Sequence, residues 1–372
     1  MAKDKLYLQI ANFLKGKIAS GELKIGDAIY SENLLCERFN VSRTSVRKAV
    51  RLMIEENLLV SHQGKGTFIK GPGGGILHNA ICLVNHWSRA LRLDLIDHYY
   101  TDIIYSTENA VREHDLEFQI FTRVGHTPDE LVHLMSKLKF DGLVIDGNYQ
   151  DYFEDLGFFR QVAPSAVIVD GNPEETELPV VSPDVESGFR TLLQNAAEQG
   201  GPLFFVYHEH QVLHRWRLAG FRKAAESLGL EVTYINYGQN VSYDNFHSIG
   251  PFRVDHHPLI FRALEPHLTP NALGGTFFCS CDYTAVKVLH VLHKRGYEVP
   301  KDFKLTGFGG FGFSGIADPG ITTVKVDSGK LAELAVASLW DYMHGRGSLA
   351  ERVQLLPVGI LERDSFPIKH NN

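Results

Sequence analysis

Between Phe39 and Arg51 the chain has no acidic residue and four basic ones, Arg43, Arg47, Lys48 and Arg51. Arg43, Arg47 and Arg51 lie four apart, so a helix puts them on one face. Guanidinium groups so arranged pair with guanine O6 and N7 or with phosphate. Thr44 and Ser45 are short enough to approach base edges or phosphates. A solvated basic face is the plain alternative.

Other residues offer different chemistry. Gly307-Phe308-Gly309-Gly310-Phe311-Gly312 fits the G-x-G-x-x-G pattern of dinucleotide binding and follows a strand. That fingerprint needs a helix beginning at the glycines, and residues 313–320, with Asp318-Pro319-Gly320, do not sustain one. Cys279-Ser280-Cys281 is at most half a metal site, because no second Cys/His pair stands at ligand spacing. Two small residues ending a strand are the plainer reading. Of the 18 histidines, only His208-x-His210 and His256-His257 are close pairs, and both read as loop histidines. No G-x-S-x-G, H-E-x-x-H or P-loop occurs. The different-class alternative, an NAD-binding enzyme with a DNA-binding head, is set aside. No enzyme, metal or cofactor is expected.

The elements that must position the arginines are legible. Leu6, Ile10, Phe13, Leu14 and Ile18 recur at helical spacing and Gly21 stops that helix. Ser31 is a good N-cap for a short second helix carrying Leu34, Leu35 and Phe39. Asn40-Val41 makes a tight turn. Ser42 can cap a third helix whose buried face is Val46, Val50, Met53 and Ile54. Leu58-Leu59-Val60 and Thr67-Phe68-Ile69 read as strands joined by Gln63-Gly64-Lys65-Gly66. Three helices and a hairpin make a winged helix-turn-helix over residues 1–70.

Charge divides the same way. Residues 1–72 hold 12 Lys+Arg against 7 Asp+Glu, a net +5, and the remainder holds 25 against 37, a net -12. A basic head on an acidic body points to a polyanionic partner for the head. No apolar run reaches 18 residues and no signal-peptide core opens the chain, so a cytoplasmic protein without a membrane partner is expected. Four cysteines in 372 residues exclude a disulfide scaffold.

The stretches SGELKIGDAIYSENLLCERFNVSRTSVRKAV and LLVSHQGKGTFI resemble the DNA-binding domain of the GntR family of bacterial regulators. The resemblance implies that the third helix enters the major groove and the wing the minor groove. It implies DNA contacts from Ser31, Glu32, Ser42, Arg43, Thr44, Ser45, Arg47, Gln63, Gly64 and Lys65. Two positions depart from the family pattern. Tyr30 replaces a proline, and Asn33 replaces an arginine, which removes one expected contact.

Gly71-Pro72-Gly73-Gly74-Gly75 reads as a flexible linker. Beyond it, apolar runs at 76–84, 118–121, 142–145, 166–169, 203–207, 232–235, 275–278 and 303–307 alternate with helical stretches at 100–114, 185–199 and 217–228. Such alternation builds parallel sheets covered by helices. At 300 residues the body calls for two lobes.

FDGLVIDG, SAVIVDG, HRWRLAGFRKAAESLGL, CDYTAVKVLHVLHKRGYEVPKDFKLTGFGG, GITTVKV and ILERDSF are similar to the effector domains of LacI-type repressors, which share the periplasmic-binding-protein fold. A GntR head on such a body resembles the arabinose-repressor subgroup. The resemblance implies an α/β two-lobed domain over 76–372, crossed three times by the chain. Lobe one is expected at about 76–174 and 306–325, lobe two at about 175–305 and 326–372. It also implies an effector in the cleft, near His86, Trp87, Asp184, Arg217, Cys281 and Asp282. Asp184 serves equally as a helix cap. Cys281 stands where the family often has Asn, and Gly309-Gly310 where it has two Asp. With those polar groups gone, the ligand is expected to be less hydroxylated, such as a deoxy sugar, or held by other residues such as the local histidines.

The expected whole is a homodimeric transcription regulator, a repressor in the first reading and an activator in the second. It binds pseudo-palindromic double-stranded operator DNA and responds to a small carbohydrate.

Overall fold

The computed structural model describes residues 6–19, 22–23, 27–55, 58–62, 66–69, 80–85, 98–122, 126–163, 165–239, 257–343 and 352–368. Among the described residues the head contains α1 (Leu6–Ala19), α2 (Glu32–Phe39), α3 (Arg43–Glu55), β1 (Leu59–His62) and β2 (Gly66–Ile69). Ser31 caps α2 by accepting from Leu34 N–H at 3.2 Å, and Asn40 ends it in the left-handed region at φ 49°. β1 and β2 pair antiparallel from Leu59 opposite Ile69 to His62 opposite Gly66. Ile10, Leu14, Leu35, Val46, Ala49, Met53, Leu59 and Ile69 form the buried centre. Of the expected α3 face, Val46 and Met53 are buried; Val50 and Ile54 are half-buried because Ala49 takes the middle.

The body continues with β3 (Ala80–Val84), α4 (His98–Glu113), β4 (Glu117–Phe121), α5 (Pro128–Met135), β5 (Gly142–Asp146), β6 (Ser165–Val169) and β7 (Val180–Pro183). Next come α6 (Val185–Gln199), β8 (Leu203–Tyr207), α7 (Val212–Ser227), β9 (Thr233–Asn236), α8 (His257–Leu264), β10 (Thr276–Cys279) and α9 (Asp282–Lys294). The last are β11 (Lys304–Gly309), α10 (Gly312–Ile316), β12 (Thr322–Lys325), α11 (Ser328–Met343), β13 (Val353–Leu356) and β14 (Gly359–Leu361).

The strands form two six-stranded sheets, ordered β13-β7-β6-β5-β3-β4 in lobe one and β14-β12-β11-β10-β8-β9 in lobe two. Every pair is parallel except β12 with β14. Strands β3, β5 and β6 are buried along their whole length, as a sheet covered on both faces requires.

The lobe assignment needs correction. Residues 306–325, expected in lobe one, supply most of β11 and all of β12, and both lie in the second sheet. β7, beyond the expected first boundary at 174, is a strand of lobe one, as is β13. α11 packs on α4 and β6, so it too belongs to lobe one. The chain crosses at Asp184, at residues 326–327 and at residues 357–358. Asp184 N–H donates to Leu356 O at 2.8 Å, tying the first crossing to the third. The expected linker, 71–75, lies outside the described residues.

Candidate functional site

Arg43, Thr44, Arg47, Lys48 and Arg51 are exposed on α3, opposite its buried residues. Arg43 Nη2 donates to Asn33 Oδ1 at 2.9 Å. Arg47 Nε donates to both carboxylate oxygens of Glu32, at 3.0 and 3.1 Å. Arg51 pairs with Glu55 in the next turn, and Lys48 Nζ stands 4.3 Å over the Tyr7 ring. Exposed pairs of this kind contribute about 0–1 kcal/mol, so a phosphate can displace them. Ser42 Oγ lies 3.3 Å from Ser45 Oγ at the start of α3. Of the residues expected at DNA, Ser42, Arg43, Thr44, Ser45 and Arg47 therefore come together at one helix end. Ser31 is occupied as the α2 cap and Glu32 as the partner of Arg47. Gln63, Gly64 and Lys65 lie outside the described residues. Tyr30, in the place of the family proline, donates from its hydroxyl to Glu22 at 2.9 Å.

In both lobes the chain runs from the first strand to one side and then returns to the other, so β3/β5 and β8/β10 are the points where winding reverses. Crevices for ligands open at the carboxyl ends of such strand pairs. The residues there are Asn85 after β3, Asp146 at the end of β5, His208 after β8 and Ser280-Cys281 after β10. Asp170 follows β6 at φ 53°.

Arg217, on α7, is 3% exposed. Its Nη1 donates to Ser280 O at 2.9 Å, and its guanidinium lies 4.6 Å over the Phe308 ring. Asp282 accepts from Thr323 Oγ1 at 2.6 Å and from Phe311 N–H at 2.8 Å, which commits its carboxylate to the interior of lobe two. Burial pushes that carboxyl up, and the Thr323 and Phe311 hydrogen bonds act against it. A Cβ on Gly307 would stand 2.1 Å from Asp282 Oδ1, so glycine is required there. Cys281 is buried with Sγ 3.3 Å from Thr284 Oγ1. Asp184 caps α6 by accepting from Ser187 N–H at 3.1 Å, which is the capping role. His86 and Trp87 lie outside the described residues.

The structure adds groups that sequence reasoning passed over. Tyr99, on α4, donates from its hydroxyl to Asp170 Oδ2 at 2.6 Å, and its ring centroid stands 5.2 Å from that of Phe311 in lobe two. Asp151 Oδ1 accepts from Val212 N–H at 2.5 Å, so a carboxylate of lobe one caps α7 of lobe two. Burial pushes the Asp151 carboxyl up to about 7, although the Val212 hydrogen bond lowers it. Arg215 clasps Glu175 at 2.7 and 2.6 Å, and Lys223 reaches Glu174 at 3.0 Å, across the same rim. His214 Nδ1 accepts from His208 N–H at 3.1 Å and lies 2.9 Å from Ser280 Oγ. Asp146 and Asp170 had a signal: each is the acid of an Asp-Gly pair closing an apolar strand.

The glycine run after β11 does open a helix, contrary to expectation, but α10 has five residues and stops before Asp318-Pro319. Gly309 is at φ 128°, and a Cβ there would stand 2.2 Å from Phe311 Cε2. The Phe311 ring thus fills the space beside the missing acid. Among the described residues no three His, Cys, Asp or Glu side chains gather to hold a metal, and no helix is long and apolar enough to cross a membrane.

Residues 6–69 match the bacterial regulatory proteins of the gntR family, and residues 198–366 match the periplasmic binding protein-like domain. A mannosyl-D-glycerate transport/metabolism system repressor of Escherichia coli is 47% identical over 70 residues, 19% of this chain and 29% of that relative. An arabinose metabolism transcriptional repressor of Halalkalibacterium halodurans is 25% identical over 335 residues, 84% of this chain and 82% of that relative. Among solved structures, a CelR–cellobiose complex superposes with TM-score 0.59 at 18% identity, over 87% of this chain and 91% of that one. The lac repressor dimer bound to operator and an anti-inducer gives 0.60 at 16% identity, over 79% and 96%. The chain therefore carries a head that matches the gntR family of bacterial regulatory proteins, followed by a body that matches the periplasmic binding protein-like domain and has the LacI-type fold.

Proposed function

We propose that this chain is a cytoplasmic, homodimeric repressor of carbohydrate-utilisation genes, relieved when a small carbohydrate occupies the interlobe cleft. One observation carries the reading: an exposed arginine row on α3 and a cleft of buried polar groups, Arg217 and Asp170 among them, occur on one chain. The head supplies affinity for phosphate and base edges, and Ser42, Arg43, Thr44, Ser45 and Arg47 are its contact set. Ser31 and Glu32 act behind that set, by capping α2 and orienting Arg47. Two half-sites fit two heads of a dimer, because one recognition helix reads only a few base pairs. The kinship with arabinose metabolism repressors, and the fold shared with a cellobiose-bound regulator and an operator-bound dimer, support each part.

The cleft is the sensor because both lobes line it and both hold it shut. Arg215–Glu175, Lys223–Glu174 and Asp151–Val212 join the lobes directly. A ligand shifts the equilibrium between lobe arrangements only by its differential affinity for them. Residues 71–75 are proposed as the linker between head and body.

The test is a gel shift with DNA from upstream of this chain's own gene, titrated with a panel of sugars. A discrete shifted band that one sugar dissolves is the expected result. Binding that shows no preference for this DNA over random sequence, or no response to any sugar, counts against the reading.

A further inference from the structure

We infer that the cleft takes an effector bearing a positive charge, which under the carbohydrate reading above, on which this rests, means an amine-bearing sugar. Three acids of lobe one stand along the cleft: Asp146 ends β5, Asp151 closes the short turn after it, and Asp170 follows β6. All three are buried, at 4%, 4% and 2% exposure. They are near one another, since the Asp146 charge acts on both Asp151 and Asp170. Among the described residues the one buried Lys or Arg is Arg217, across the cleft. Its guanidinium is already engaged by Ser280 O and the Phe308 face. Among the described residues, the buried acids of the cleft thus outnumber its buried Lys and Arg.

The acids differ in what they hold. Asp146 Oδ1 accepts from the Asn148 backbone and side-chain N–H groups, at 3.0 and 2.8 Å. Asp151 Oδ1 accepts from Val212 N–H. Asp170 Oδ2 accepts from the Tyr99 hydroxyl, but Asp170 Oδ1 is buried with no hydrogen-bond partner. The Arg217 charge, in lobe two, acts on the Asp170 carboxyl through space without forming an ion pair. A buried carboxylate oxygen without a donor is costly, and a cation or a proton relieves it. Burial pushes this carboxyl up, with Arg217 and then Tyr99 acting against that.

Rings complete the setting. Tyr99 stands beside Phe311, whose centroid lies 5.4 Å from both Tyr283 and Phe313. An ammonium between a carboxylate and aromatic faces gains from both. A neutral hydroxyl supplies the donor that Asp170 Oδ1 lacks but no charge opposite to a carboxylate.

The test uses the full chain at pH 7, with calorimetry and thermal shift. The probes are D-glucosamine, D-galactosamine and D-mannosamine, each beside its neutral hexose, and 1,5-diaminopentane as a cation without a sugar ring. At least one amino sugar is expected to bind tenfold or more tighter than its parent hexose. Asp170→Asn, which keeps the shape and removes the charge, is expected to bring that ratio below threefold. Asp170→Ser serves as the second variant, and circular dichroism checks that both fold. A hexose that binds as tightly as its amino sugar, a preference that survives Asp170→Asn, or no binding by any amine overturns the inference. Binding of the diamine alone supports it and sinks the carbohydrate reading. A neutral hexose that releases the operator does the reverse.

Discussion

Arg43 Nη2 donates to Asn33 Oδ1 at 2.9 Å, so the residue that departs from the head's family pattern orients the first arginine of the recognition helix. Under the proposed function, Asn33 then acts on DNA through Arg43, where the resemblance implies direct contact by an arginine. Arg43→Ala is expected to lose about 1–3 kcal/mol of operator affinity. Asn33→Ala should lose about 0.5–1 kcal/mol, the scale of one exposed hydrogen bond. Gel shifts with both variants check this, and calorimetry should find effector binding unchanged in each.

Arg217→Ala removes the donor to Ser280 O and the cation over Phe308. The Ser280 carbonyl then loses its buried donor, so stability is expected to fall by about 1.5–3 kcal/mol, the scale of a charge-assisted hydrogen bond. Operator binding by the same variant should persist and stop responding to effector. Loss of operator binding in a folded variant would show that this arginine serves the head.

The Asp151 carboxyl has an ordinary value of 3.8 and is pushed up to about 7 in the folded, closed arrangement. The folded form therefore binds this proton more tightly than the unfolded chain does. Its favourable contribution is full below about pH 4 and is lost as pH rises through 7. Asp151→Asn keeps an acceptor for Val212 N–H and removes the charge. It should gain on the order of 1–3 kcal/mol of stability at pH 8 and nothing at pH 4. Melting curves across this range check the sign; an equal shift at both ends would refute it.

The Arg215–Glu175 clasp has side chains 31% and 34% exposed. Glu175→Ala is accordingly expected to change global stability by less than about 1 kcal/mol. The clasp joins the lobes, so the effect should appear in shape: small-angle scattering is expected to show a larger radius of gyration without effector and the parent value with it.

Gly309→Asp would restore an acid the fold family often has at this place. With φ at 128° and Phe311 Cε2 only 2.2 Å from the new Cβ, the variant should lose about 2 kcal/mol or more of stability. Adding Phe311→Ala removes the clash and leaves the backbone strain, so the double variant is expected to recover part of the loss. Denaturant titration measures both.

How much the sequence disclosed depended on how local each signal was. Val185–Gln199 and Leu203–Tyr207 follow directly from periodicity. The start of α7 does not: the expected helix begins at 217, the observed one at Val212, and Gln211 provides no side-chain cap. Its cap is Asp151, sixty-one positions earlier and in the other lobe. β13 and β14 have four and three residues with partly exposed sides, too little apolar pattern to read. Nor does an apolar strand say which of two parallel sheets it joins, which is why β11 and β12 were expected in the wrong lobe. In the cleft, Arg217 was visible through its motif, whereas Tyr99 and Phe311 meet only in three dimensions.

The braided crossings set an order of assembly during synthesis. Among the described residues, the head's buried centre draws on residues 7–69, so it can close once that stretch has left the ribosome. Lobe one begins at β3 yet has to wait for α11 and for Val353 to pair with Val180. Lobe two waits as long, because Ser365 bonds Leu305 and Phe366 is fully buried. A nascent chain halted near residue 340 thus has a finished head and two incomplete lobes. Under the proposed function, it presents the arginine row of α3 before either lobe is complete enough to hold a ligand.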